Sequence, residues 1–149
     1  MIASIPDLAN EWDRDKLRNW MKNAKRLGRG DVYQIALRQL CKVEGRNIDD
    51  PLESEFVAVM RALEEALTEE AGKTKRLNRT RQKLDRVGVR RTLADLALKP
   101  TPSLGFIKLV EFNMADMSAE ALILKYQDEF EPHVVEAARK RLEKHGIAT

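Results

Sequence analysis

Aromatic side chains are scarce in this sequence, at 5% of 149 residues, so Leu, Val, Ile, Ala and Met must build the core. Recognition of single strands by stacking bases on aromatic platforms is correspondingly disfavoured. There is one cysteine, Cys41, which excludes an internal disulfide. Two histidines and that cysteine do not make a zinc site of the usual type, so no metal and no cofactor are expected. No apolar run approaches the roughly 18 residues of a membrane span, so no membrane partner is expected. Met1 to Asn10 shows neither the basic-then-apolar order of a signal peptide nor the arginines of a transit sequence. A cytoplasmic protein is the expectation. No stretch sustains the period-two alternation of a strand.

What is present is charge and helical periodicity. Charged residues make up 34% of the chain and hydrophobic ones 43%, which fits thin helices with charged outer faces. At this length about two thirds of the unfolded surface can be buried, enough for one core over residues 1–149. Asp13 starts a first helix that ends near Leu27, with Leu17, Trp20, Met21, Ala24 and Leu27 on one face and Gly28 as the exit. Asp31 is the expected cap of a second helix, carrying Val32, Ile35, Ala36, Leu40 and Val43 and closing at Gly45. The third start is the clearest: Asp50 caps, Pro51 takes the first helical position and Glu53 the third.

Beyond that start the pattern permits two readings. Phe56, Leu63, Leu77 and Leu84 lie seven or fourteen apart, which favours one long central helix from Pro51 to Val87. Gly72 permits a bend or a break, since Gly costs about 1 kcal/mol inside a helix. Such a long apolar row also suggests a homodimer. Thr92 with Asp95 reads as a capping box, Ser103 as a cap, Asp116-Met117-Ser118 as a short helix start and Pro132 as the opening of the last helix. The expected fold is all-α, a single-domain bundle of about seven or eight helices.

Net charge is +3, and its location matters more than its size. Residues 73–91 hold nine basic side chains and one acidic one, between mildly acidic flanks at 1–72 and 92–149. Wound as one helix, Lys75, Arg79, Lys83, Arg86 and Arg90 form a stripe, while Leu77, Thr80, Leu84 and Val87 face inward. Such a face repels itself, and becomes favourable when phosphates lie alongside and counterions are released. Lys75, Arg76, Arg79, Lys83, Arg86, Arg90 and Arg91 are the expected phosphate contacts. Asn78 and Gln82, one turn apart, can hydrogen-bond base edges, adenine above all. The expectation is a non-enzymatic nucleic-acid binder, for duplex DNA before RNA. An adaptor docking an acidic protein partner is the alternative. A small enzyme is a third, without a residue pattern that points to a reaction.

Arg81 to Leu98 also looks like a helix-turn-helix pattern, with Leu84, Gly88-Val89 and Thr92-Leu93 at the matching places. The second helix of that pattern should read the groove, yet Leu93 to Leu98 is mostly apolar. The preceding basic helix is therefore expected to make any contact. Gly72-Lys73-Thr74 is not a phosphate loop, because Leu67 stands where the upstream Gly is needed and carboxylates precede it. His133 and Glu136 share a helix face but lack the second copy that a di-iron bundle requires.

Overall fold

The computed structural model describes residues 5–149; the part of the leader reading that rests on 1–4 lies outside them. Among the described residues there are eight α-helices and no strand. They are α1 Arg14–Arg26, α2 Gly30–Gly45, α3 Pro51–Ala71, α4 Asn78–Val87, α5 Val89–Leu98, α6 Leu104–Glu111, α7 Ala119–Lys125 and α8 Pro132–Lys144. Two 3-10 turns, Ala115–Met117 and Gln127–Glu129, flank α7.

Local chemistry sets half of the starts. Asp13 accepts from the N–H groups of Asp15 and Lys16 at 2.9 and 3.3 Å, and Asp50 from that of Leu52 at 3.1 Å. Ser103 and Ser118 do the same for Phe106 and Ala121, each at 3.1 Å. Each such cap stabilises its helix by about 1 kcal/mol. Asp31 does not cap α2: it pairs with Arg29, while Arg29 itself stands at the cap position without a capping bond. Thr92 does not open a helix either. It lies inside α5, and its hydroxyl donates to the Gly88 carbonyl at 2.8 Å.

The core is organised around α3, which is apolar on two sides. Val59, Ala62, Leu63 and Ala66 join a cluster with Leu17 and Met21 of α1 and Leu37 and Leu40 of α2. Leu52, Phe56 and Met60 join a second cluster with Leu93 of α5, Ile123 of α7 and Val135 and Ala138 of α8. On α1, Leu17, Met21 and Ala24 are buried as expected, but Trp20 is 39% and Leu27 63% exposed. The buried face of α1 is thus narrower than its apolar residues suggested.

Gly45 ends α2 by proximity. A Cβ there would lie 2.8 Å from the Ser54 carbonyl oxygen and 3.0 Å from the Ala58 Cβ. The Ser54 hydroxyl donates to the Gly45 carbonyl at 2.7 Å across the same contact. Gly45→Ala must push α2 and α3 apart, so a loss of about 1–3 kcal/mol in urea unfolding is expected. Gly30→Ala, with nothing within 4 Å, serves as the comparison and should not destabilise.

The long central helix does not form. α3 ends at Ala71, and Gly72 turns the chain at φ 70°, in the left-handed region. Residues 73–77 then cross the surface before α4 begins. Tertiary bonds decide this break. The Thr68 hydroxyl accepts from the Lys75 N–H at 2.9 Å, and Glu64 accepts from the Leu77 N–H at 2.7 Å. Leu77 packs partly against both core clusters, and Leu84 against the second. A straight helix would carry both leucines off the core, at more than the roughly 1 kcal/mol at issue at Gly72. The apolar row that suggested a homodimer is therefore covered within the chain itself.

Candidate nucleic-acid interface

The fold distributes the basic segment over three elements. Lys73, Lys75 and Arg76 lie in the crossing stretch before α4. Asn78, Arg79, Gln82, Lys83 and Arg86 lie on α4, and Arg90 and Arg91 on α5. The single stripe expected from Lys75 to Arg90 is thus broken at both ends. α4 has no fully buried residue and rests on the core through partly buried Leu84.

Four of the nine basic side chains are tied to carboxylates. Arg81 donates its Nε–H to Glu64 at 2.6 Å, with a second bond from its Nη2. Lys83 pairs with Asp95, which also takes Arg91 at 3.2 Å. Arg90 reaches Asp50 at 2.9 Å and also Glu129. These pairs leave clear electrostatic marks. Lys83 and then Arg91 hold the Asp95 carboxyl below the usual carboxylate range, and Arg90 does the same for Asp50. At Glu64 burial pushes the pKa up. The hydrogen bonds from Arg81 and Leu77 more than offset it, with the Arg81 and Arg76 charges, so the carboxyl ends below its ordinary value.

Lys73, Lys75, Arg76, Arg79 and Arg86 are different. All five are exposed, and none has a carboxylate within ion-pair distance among the described residues. Asn78, Gln82 and Arg86 are also exposed, and recur every fourth position along α4. Arg79 adjoins that row, and Asp85 is the one acidic residue of the helix. A ten-residue helix is about 15 Å long. An outward-facing helix of this kind fits a major groove about 12 Å wide.

The helix-turn-helix likeness stops at the sequence. α4 and α5 are joined through Gly88 alone, and α5 buries Val89, Thr92, Leu93 and Ala97 in the core. Its exposed Arg90 and Arg91 are both tied to carboxylates.

One feature lay outside the sequence reading. Beside the 73–77 stretch runs a groove of about 830 Å³, with α1 as its other wall and α3 as its floor. Arg14, Arg18 and Lys22 of α1 and Arg61 of α3 line it together with Lys75, Arg76 and Arg81. Four carboxylates line it too: Glu44, Glu64, Glu65 and Glu69. Glu44 lies 2.6 Å from Arg14, and Glu65 accepts from Arg18 at 2.9 and 2.6 Å. Residues 1–72 are net acidic as a whole, but Arg14–Arg26 holds six basic side chains and one acidic one, a local signal that averaging over the longer segment concealed.

Elsewhere the chemistry is muted. Burial pushes the Cys41 thiol up to about 12, the opposite of an activated nucleophile. His133 and Glu136 are both exposed, and Glu136 pairs with Arg139 at 2.9 Å. Among the described residues no three His, Cys, Asp or Glu side chains are placed to hold a metal ion. No described helix is long and apolar enough to cross a membrane. Comparison with protein families, characterised proteins and solved structures finds no match to this chain.

Proposed function

We propose that this is a non-enzymatic nucleic-acid-binding protein that contacts duplex phosphates, DNA before RNA, through α4 and the stretch before it. The observation that carries the reading is the asymmetry within the basic segment. The fold neutralises Arg81, Lys83, Arg90 and Arg91 and leaves Lys73, Lys75, Arg76, Arg79 and Arg86 without an ion partner among the described residues. Five exposed cations close together in sequence repel one another, and an external polyanion removes that cost. Asn78 and Gln82, free on the same helix, supply any base preference. The buried, lone thiol of Cys41 suits a reducing compartment, and we place the protein in the cytoplasm.

The contact set is smaller than the sequence alone suggested, and this makes the test sharp. Fluorescence anisotropy with a labelled duplex is run across a salt series. Each phosphate contact contributes about −0.9 to the log–log salt slope. Arg79→Gln with Arg86→Gln should flatten the slope by about 1.8 and weaken binding on the order of a hundredfold near 0.1 M salt. Lys83→Gln, whose amine is already paired with Asp95, should leave the slope nearly unchanged. Wild-type binding no tighter than about 100 micromolar, or binding indifferent to the double substitution, ends this reading. The acidic-protein adaptor then takes its place.

A further inference from the structure

We infer that the groove between α1 and the 73–77 stretch is a second phosphate site, which takes a single strand leaving the duplex bound on α4. The inference rests on the nucleic-acid reading above and extends it to residues outside the 73–91 segment.

The groove's carboxylates are largely answered from within. Arg18 pairs with Glu65 and Arg81 with Glu64, and Arg14 lies 2.6 Å from Glu44, whose buried Oε1 accepts no hydrogen bond among the described residues. Glu69 is half-buried, and burial pushes its pKa up, against the pull of the Lys25 and Lys22 charges. Four cations then remain with no ion-pair partner among the described residues: Lys22, Arg61, Lys75 and Arg76. They come from three separate elements and converge on one cleft. Arg61 gives one N–H to the Glu44 carbonyl at 3.3 Å, which holds its guanidinium there and leaves its other donors available.

Size and continuity identify the occupant. A space of about 830 Å³ holds a ligand of a few nucleotides' bulk. A duplex turn, about 34 Å long, does not fit within it. Lys75 and Arg76 line this groove and directly precede α4, so a strand departing the α4 surface meets them first. No aromatic side chain lines the groove, so bases gain no stacking platform there. The strand is held by its phosphates and its base sequence is not read.

The test compares a blunt duplex with the same duplex carrying a short single-stranded overhang, again across a salt series. Single-strand contacts contribute about −0.7 each to the slope. Lys75 and Arg76 already serve the blunt duplex, so Lys22 and Arg61 predict an overhang slope steeper by about 1.4. Lys22→Gln with Arg61→Gln should remove much of that increment and leave blunt-duplex binding unchanged. Circular dichroism and urea unfolding check that this variant is folded, and Lys22→Gln alone gives a second, milder variant. An overhang that adds nothing, or an increment untouched by both variants, overturns the groove site while blunt binding keeps the α4 reading alive. Loss of all binding by wild type overturns both.

Discussion

Glu64→Ala is expected to undock α4 from α3 and to lower global stability by about 2–4 kcal/mol in urea unfolding. The Glu64 side chain is only 6% exposed and accepts three hydrogen bonds, from the Leu77 N–H and from two nitrogens of Arg81. Truncation strands the Leu77 donor and leaves Arg81 beside an empty space. Arg81 is 32% exposed and can regain water, which keeps the loss below that of a wholly buried pair. The local signature is more telling than the global one. The Leu77 amide should lose hydrogen-exchange protection ahead of the core amides of α3, because the bond that protects it runs only to Glu64.

The same carboxylate makes the joint acid-sensitive. Its folded pKa lies below the ordinary 4.5, so folding favours its charged form. The stability this supplies is fully present above the unfolded value and is lost as pH falls through the folded one. Leu77 protection should therefore collapse in acid, below about pH 4.5. Glu64→Gln keeps an acceptor for Leu77 but loses the charge. It should show an intermediate loss at neutral pH and no acid step of its own. A Leu77 amide that stays protected in Glu64→Ala would show that packing, not the carboxylate, holds the crossing stretch.

The break at Gly72 shows where sequence reading stops. Starts governed by neighbours a few residues away were legible: Asp13, Asp50 with Pro51, Ser103 and Ser118 all cap as their local pattern indicates. So was the all-helical class. The Gly72 break depends on Glu64 reaching Leu77 and Arg81, thirteen and seventeen residues away, and no periodicity encodes that. The heptad spacing of Phe56, Leu63, Leu77 and Leu84 was real, but four residues on two helices serve one core just as well as one helix serves a dimer. The charge run was legible as a run and not as a surface. Lys83, Arg90 and Arg91 differ from Arg79 and Arg86 only in which carboxylates the fold brings near them. Arg61 was invisible because Glu53, Glu55, Glu64 and Glu65 surround it in sequence, whereas Lys22 lies in a basic helix that the acidic total of residues 1–72 concealed.

Arg141→Ala is the other substitution with a large expected effect, about 3–5 kcal/mol at neutral pH. The Arg141 and Glu120 side chains are 9% and 2% exposed and lie 3.0 Å apart. The same guanidinium donates to the Leu96 carbonyl at 2.9 Å and to that of Lys99, at the C-terminal end of α5. It therefore joins α8 to α5 and α7 while satisfying carbonyls that a helix end leaves open. Removing it strands a buried carboxylate and two acceptors together. Arg141→Lys should rescue little, since one ammonium does not reproduce a planar fork aimed at three acceptors. The pH dependence runs opposite to that of Glu64. Burial raises the Glu120 pKa even in the presence of Arg141. Without Arg141 the charged form is penalised further, and that penalty is absent below the unfolded pKa and complete above the folded one. The deficit of Arg141→Ala should thus be larger at pH 7 than near pH 4. Adding Glu120→Gln should recover part of it at pH 7 and almost nothing in acid. A deficit equal at both pH values would assign the loss to the α5 carbonyls rather than to the stranded carboxylate.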